Sequence, residues 1–229
     1  MTIHERPGVY SSYDASTVIN GSGGGSTVGL VGLVTDGESG KLYTFNRYED
    51  AVTQFGQEEN LTKLVQVLFR NGAARVVVAP VSGEEDYQGA FDLLAMEDDI
   101  DLVVCDSTQL SVQQALRQSV CDASQARRER IAVVGGAQSE DVEALVERAE
   151  GINSERVVLV APGDGTGLAA AAVAGAIAGE SDPAIPLGGA ELKGLEGMEA
   201  RYADTEIDTL VRGGVTPLEN VSGVVSVVR

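Results

Sequence analysis

The spacing of apolar residues alternates between strand and helix periods from residue 27 onward. Residues 27–34 form a β-branched, glycine-containing run of strand length without a helical period, which predicts a buried strand. Similar runs predict further strands at 75–79, 101–105, 131–134, 156–161, 215–219 and 223–228. The last two are close enough in sequence to form a hairpin-like end of the chain.

Between these runs, apolar residues recur at helical spacing. The clearest stripe follows Asn60, the predicted capping residue, and ends at Gly72. Its apolar residues are Leu61, Leu64, Val65, Leu68 and Phe69. Other helices are predicted at 45–55, at 87–95, from the capping pair Ser111 and Gln114, through 142–149 to Gly151, at 168–178 and at 205–212. The regular alternation predicts an α/β fold with a mainly parallel sheet flanked by helices.

Residues 1–26 differ in composition from residues 27–229, which we predict to be one α/β body. This first segment is polar and rich in Gly and Ser, and its few apolar residues cannot bury a face of their own. Its final glycines are typical of a flexible hinge: Gly21, Gly23, Gly24 and Gly25. Two interpretations are open, a poorly ordered terminus or an extended arm that adds a strand to the sheet of another subunit.

The charge of the chain favours proteins as partners. Lysine and arginine total 16 against 35 aspartates and glutamates, which gives a net charge of -19 and disfavours nucleic acid and anionic membranes. No apolar run is long enough to span a membrane, and no signal pattern opens the sequence. Cys105 and Cys121 match no metal or redox spacing, so we expect buried thiols in a reducing cytosol.

The sequence offers no convincing catalytic residues, metal site or cofactor site. The single histidine, His4, lies in the N-terminal segment, so a triad with a histidine base is not expected. Cys105-Asp106-Ser107 follows a predicted strand but lacks an activating base, and we interpret it as structural. The acidic runs at 84–86 and 97–101 do not match a calcium loop and are typical of solvated surfaces.

A glycine-rich loop from Gly163 to Gly167 leaves one binding function open. It follows a predicted strand and opens a predicted helix, where backbone N–H groups bind anions in many doubly wound α/β domains. Asp164 argues against this interpretation, since its negative charge stands where a phosphate would bind. A nucleotide- or anion-binding domain is therefore the alternative to a tight strand-to-helix turn.

Several short motifs resemble contractile phage tail sheath subunits, in the same order and with similar spacing. They are Arg6-Pro7-Gly8-Val9-Tyr10, the strand 28–32, residues 48–56 with Gln54-Phe55-Gly56, the Ala/Gly stretch 170–179 with 183–187, residues 192–197, and residues 205–218. Each motif is weak by itself. Together they extend over nearly the whole chain.

The resemblance implies a structural protein without enzymatic activity or cofactor. Sheath subunits stack as hexameric rings around a tail tube, and rearrangement to a shorter, wider helix drives the tube through the target envelope. The implied partners are copies of this chain, the tail tube protein, and baseplate and tail terminator proteins. The implied location is the tail of a virion or tailocin, assembled in the bacterial host cytoplasm.

The resemblance also implies a role for residues 1–26. Sheath subunits exchange terminal arms that add strands to a sheet in the C-terminal domain of an adjacent subunit. Carried onto this sequence, the inter-subunit arm contains Pro7, Gly8, Val9, Tyr10, Tyr13, Val18 and Ile19, followed by the glycine hinge. Family members usually continue past the position of Arg229 into that acceptor domain. We therefore expect the 229-residue chain to donate an arm but not to receive one.

Overall fold

The computed structural model describes residues 25–35, 39–180, 182 and 185–229. The strands of this part are β1 (Thr27–Leu33), β2 (Tyr43–Phe45), β3 (Arg75–Val81), β4 (Leu102–Cys105), β5 (Ile131–Gly135), β6 (Val157–Ala161), β7 (Glu191–Leu192), β8 (Val215–Val221) and β9 (Val224–Val227). The helices are α1 (Tyr48–Phe55), α2 (Asn60–Asn71), α3 (Tyr87–Ala95), α4 (Leu110–Gln125), α5 (Val142–Ile152), α6 (Leu168–Gly179) and α7 (Asp204–Arg212).

These strands form one sheet in the order β2-β3-β1-β4-β5-β6-β8-β9-β7. Neighbouring strands from β3 to β8 are parallel, whereas β2, β9 and β7 pair with their neighbours in antiparallel fashion. The predicted α/β class with a mainly parallel sheet is confirmed. The predicted hairpin-like end is also confirmed, since β8 and β9 are adjacent and antiparallel.

Helices cover both faces of the sheet and divide the core in two. Helices α1, α2 and α6 pack on the first face, and α3, α4, α5 and α7 pack on the second. Because strand side chains alternate, Leu30 joins the first core and its neighbour Val31 joins the second. Both cores are mainly aliphatic, and complete burial of one such side chain stabilises the fold by about 1.5–3 kcal/mol.

Helix α6 is enclosed by the sheet on one side and by α2 on the other. Its alanines and glycines allow this close approach, and it has no polar stripe. A methyl group added to Gly175 would lie 2.8 Å from the Leu68 carbonyl oxygen and 2.8 Å from Cβ of Asn71. The contact between the two helices therefore requires glycine at position 175.

Strand β2 lies partly within residues predicted to be helical. Phe45 ends this strand, and α1 begins only at Tyr48. The side chains of Tyr43, Phe45 and Phe55 form an aromatic cluster with ring centroids 5.2–6.5 Å apart. This tertiary cluster accounts for a three-residue edge strand that the local pattern does not distinguish.

Two predicted helix caps are wrong, because the polar side chains bind other parts of the fold. Asn60 is the first residue of α2, and its Nδ2 atom donates a hydrogen bond to the Thr166 carbonyl at 2.9 Å. Ser111 lies inside α4 and forms no capping pair with Gln114. The Gln114 side chain instead donates to the Gly151 carbonyl at 2.9 Å.

The segment between α6 and α7 connects the β8–β9 hairpin to the first face of the sheet. Strand β7 pairs with β9, and Leu192 and Leu195 are buried in the first core. The side chain of Asn71 in α2 donates to the Lys193 carbonyl and accepts from the Lys193 N–H, both at 2.8 Å. Asn220 of β8 donates to the Met198 carbonyl at 2.7 Å. The hairpin is therefore held by side-chain hydrogen bonds as well as by strand pairing.

Candidate functional site at the carboxyl edge of the sheet

The topology creates a crevice between the carboxyl ends of β1 and β4. The chain leaves β1 towards β3 and leaves β4 towards β5, and α/β folds commonly bind ligands at such a point of divergence. Here Asp106, which follows β4 and is only 9% exposed, fills the crevice. Its Oδ2 atom accepts the Leu33 N–H at 2.9 Å, and its Oδ1 atom accepts the Tyr87 hydroxyl. The protein therefore supplies its own carboxylate where a ligand would bind.

Burial determines the ionisation of the groups in the crevice. Burial, followed by the charge of Asp106, raises the pKa of the Tyr87 hydroxyl far above its ordinary value. The same two effects raise the pKa of the Cys105 thiol to about 12. Burial also raises the pKa of Asp106, against the opposing effect of its hydrogen bonds from Tyr87 and Leu33. Cys105 is thus a protonated thiol at neutral pH, which agrees with the structural role predicted for Cys105-Asp106-Ser107.

A second carboxylate fills the other predicted anion position, the loop from Gly163 to Gly167. The Asp164 side chain accepts backbone N–H groups from Thr166 at 2.9 Å, Gly167 at 2.8 Å and Ala169 at 2.7 Å. These are the donors at the start of α6 that a bound phosphate would need. The geometry therefore favours the tight strand-to-helix turn over nucleotide or anion binding.

The loop is also closed sterically. A Cβ atom at Gly163 would overlap the Ala137 carbonyl, because the loops that follow β5 and β6 pack directly on each other. Gly165 and Gly167 have φ angles of 67° and 80°, in the left-handed region that favours glycine. The three glycines thus have structural explanations.

A partly buried ion pair connects the loops next to this one. Arg148 of α5 and Glu140 have side chains only 10% and 18% exposed, and Nε of Arg148 lies 3.0 Å from Oε2 of Glu140. Arg148 also donates to the Thr108 carbonyl at 2.7 Å and to Oε1 of Gln113 at 3.1 Å. Glu140 accepts the Ala137 N–H at 2.8 Å. The sequence analysis missed this network, whose members have no motif spacing.

The acidic runs contribute ion pairs at the surface. Asp98 pairs with Arg128 at 2.9 Å, and Asp99 pairs with Arg75 at 3.3 Å. Within the described residues, no group of three or more His, Cys, Asp or Glu side chains is arranged to hold a metal ion. None of the helices in the described part is long and apolar enough to cross a membrane.

The predicted inter-subunit arm lies outside the described residues. This applies to all seven predicted arm residues and to Gly21, Gly23 and Gly24 of the predicted hinge. Gly25 is the first described residue. The adjacent Ser26 donates its N–H to the Ala178 carbonyl at 2.8 Å and accepts the Ala74 N–H at 3.2 Å. The body therefore fixes the backbone at Ser26.

Both edges of the described sheet end in very short strands. β2 has three residues and β7 has two, and both run antiparallel to their neighbours. Short edge strands limit pairing with another chain, since they present few unpaired backbone groups. Neither edge of the described sheet presents a long strand for pairing.

The sequence of this chain matches one protein family model. Residues 81–229 match the family model described as the phage tail sheath protein central domain. No curated protein sequence matches the chain. The sequence match to the family covers more than half of the chain.

Solved structures of sheath proteins have the same fold. A sheath tail protein from Desulfitobacterium hafniense superposes with a TM-score of 0.71 at 12% identity, over 97% of this chain and 74% of that chain. A sheath tail protein from Listeria innocua gives 0.70 at 12% identity, over 91% and 69%. The contracted helical sheath of the anti-feeding prophage gives 0.64 at 15% identity, over 98% and 67%. At these identities the similarity concerns the fold alone.

Proposed function

This chain belongs to the phage tail sheath protein family, and from that membership we propose that it is a subunit of a contractile tail sheath. Its copies would stack as hexameric rings around a tail tube, and their rearrangement would drive the tube through the target envelope. Baseplate and tail terminator proteins would bind the ends of the stack, in a virion or tailocin assembled in the host cytoplasm. The match over residues 81–229 carries this proposal.

The carboxyl edge of the sheet supports a role without catalysis. Asp106 and Asp164 fill the two positions where this fold class binds ligands, and Cys105 is buried and protonated at neutral pH. A sheath subunit needs no nucleotide cycle, because the energy of contraction would be stored when the subunits assemble. A body with filled ligand positions suits that role.

Residues 1–24 would serve as the inter-subunit arm. Ser26 is held by two backbone hydrogen bonds, so rotation of the arm against the body would occur in the glycines that precede it. The short edge strands β2 and β7 make this body a poor acceptor for an added strand. The acceptor sheet would therefore lie outside the described residues, as the resemblance to sheath proteins implies.

The test is assembly of the natural gene product that carries this sequence. We expect rings or tubes in electron micrographs of the parent, and their loss when residues 1–24 are deleted. The thermal unfolding of the body should change little, since the deletion ends before Ser26. Assembly of the deleted protein at the parent's concentration would refute the role of the arm, and a parent that stays monomeric with its tail proteins present would refute the sheath role.

Hinge variants test the connection more narrowly. Gly23→Pro with Gly24→Pro should impair assembly, because proline restricts the backbone, whereas Gly23→Ala with Gly24→Ala should impair it less. Neither pair should reduce the stability of the body as a core truncation would. Equal assembly by both double variants would show that rotation at these glycines is not needed.

A further inference from the structure

Asn71 and Gly72 form an asparagine–glycine pair at the end of α2. In this dipeptide the glycine nitrogen can attack Cγ of the asparagine, because no Cβ on the second residue hinders the approach. A bond forms between Cγ and the glycine nitrogen, the Cγ–Nδ2 bond breaks, and the amide leaves as ammonia with the glycine N–H proton. Water then opens the succinimide ring to aspartate or isoaspartate. The end of α2 therefore carries a chemically labile asparagine.

The fold holds both reacting groups in other hydrogen bonds. The Gly72 N–H donates to the Leu68 carbonyl at 3.2 Å, which directs its nitrogen back along α2. The Asn71 amide donates to the Val67 carbonyl at 2.8 Å and binds the backbone of Lys193 through both Nδ2 and Oδ1. These three hydrogen bonds of the side chain form the Asn71 bridge. Attack on Cγ needs the amide to turn towards the Gly72 nitrogen, and this rotation would break the bridge.

The Asn71 bridge joins α2 to the turn that follows β7. An added Cβ at Gly194 would lie 2.9 Å from Cγ2 of Val67, so this turn rests directly on the helix. Leu195, two residues after Lys193, is buried in the first core. Local opening of a turn breaks few buried contacts and occurs more readily than global unfolding. The bridge therefore opens when this turn separates from α2.

We propose that Asn71 is a deamidation site that the closed Asn71 bridge protects, and that its modification prevents the bridge from closing again. A carboxylate at position 71 still accepts the Lys193 N–H. It has no N–H to donate, so it faces the Val67 and Lys193 carbonyls with a negative charge. Deamidation thus converts a transient opening of the turn into a permanent one. The proposal does not depend on the sheath role, since it concerns contacts within the single chain.

Peptide mass spectrometry of the chain incubated at mildly alkaline pH tests the protection. Conversion of Asn71 should be at least about tenfold slower in the folded chain than in concentrated urea, because only the open fraction reacts. Leu195→Ala should accelerate the reaction in the folded chain, since it loosens the turn. The matched control Leu145→Ala truncates a leucine of the second core and should accelerate it clearly less. Equal rates in the folded chain and in urea, or equal acceleration by the two variants, would overturn the local protection.

Asn71→Asp reproduces the aspartate product and tests its effect on the turn. Trypsin should cleave after Lys193 about fivefold faster in this variant than in the parent, because the turn is released from α2. The matched control is Asn60→Asp at the other end of the same helix, where the side chain donates to the Thr166 carbonyl. It should leave cleavage at Lys193 unchanged. Equal cleavage of the two variants at Lys193 would overturn the proposed consequence of deamidation.

Discussion

Replacing Arg148 with methionine should destabilise the folded chain by about 2–3 kcal/mol, between the values for exposed and for fully buried ion pairs, because it leaves a largely buried carboxylate without its counter-charge. The side chains of Arg148 and Glu140 are 10% and 18% exposed, so water screens this pair poorly. Arg148 also donates to the Thr108 carbonyl and to Gln113. Those hydrogen bonds would be lost as well, so the loss of stability should exceed that caused by breaking an exposed ion pair.

A double-mutant cycle separates the ion pair from the packing of the arginine stem. Glu140→Gln keeps the size of the side chain and an acceptor for the Ala137 N–H, so it should cost less than Arg148→Met. The double variant should lose less stability than the sum of the two single variants, since no partly buried charge is then left unpaired. A coupling energy of about 1–3 kcal/mol is expected.

Urea unfolding followed by far-UV circular dichroism measures these differences, with tyrosine fluorescence as a second probe because the chain contains no Trp. Arg156→Met is the matched control. Its partner Glu129 is 67% exposed, so water screens this pair and the loss of stability should be clearly smaller than for Arg148→Met. If Arg148→Met costs no more than Arg156→Met, the hydrogen-bond network of Arg148 does not stabilise the fold as the geometry indicates.

Three further predictions concern single positions. Burial raises the pKa of Asp106, so the contribution of this residue to stability is greatest at low pH and is lost as pH rises through its folded-state pKa. Asp106→Asn should therefore gain stability relative to the parent as pH rises from about 4. A stability difference that does not change with pH in urea unfolding would contradict this. Gly175→Ala should lower the free energy of unfolding by about 1–3 kcal/mol in urea, because the added methyl group would overlap α2. The control Gly89→Ala in α3 has nothing within 4 Å of the added Cβ and should raise the free energy of unfolding by about 0.5–1 kcal/mol. Equal effects of the two variants would contradict the steric explanation. Asp164→Ala should lower the free energy of unfolding by about 1–2 kcal/mol, because three backbone N–H groups lose their acceptor. Sulfate should then raise the melting temperature of the variant more than that of the parent, since the anion position is open. An equal effect of sulfate on both proteins would show that the carboxylate does not occupy an anion position.

The sequence predicts elements well where burial follows a local period. Residues 27–34 and the stripe after Asn60 correspond to β1 and α2, because each needs only a short window of apolar residues. The stripe ends at Gly72, whose φ of 126° explains the predicted helix end. Asn60 was wrongly predicted as a cap because its actual acceptor, the Thr166 carbonyl, is 106 residues away in sequence.

The candidate site is less predictable because its contacts join distant segments. Asp106 receives the Tyr87 hydroxyl from 19 residues away and the Leu33 N–H from 73 residues away. Only the strand order brings these groups together, and no local pattern specifies that order. Asp164 is the exception, because all three N–H groups that it accepts come from the next five residues of the chain. Its position in a glycine-rich turn was therefore enough to predict that its carboxylate would exclude a phosphate.

The two filled ligand positions have a consequence for how the body responds to its surroundings. In a ligand-binding α/β domain, a bound anion satisfies the N–H groups at the strand and helix ends, so stability depends on ligand concentration. Here Asp106 and Asp164 satisfy such groups permanently, one at the end of β1 and one at the start of α6. The body then keeps these contacts without a ligand, although burying Asp106 opposes its charged form. If the chain is a sheath subunit as proposed, we expect the body to rotate against its neighbours as a unit, with the conformational change confined to the arms and the surfaces between subunits.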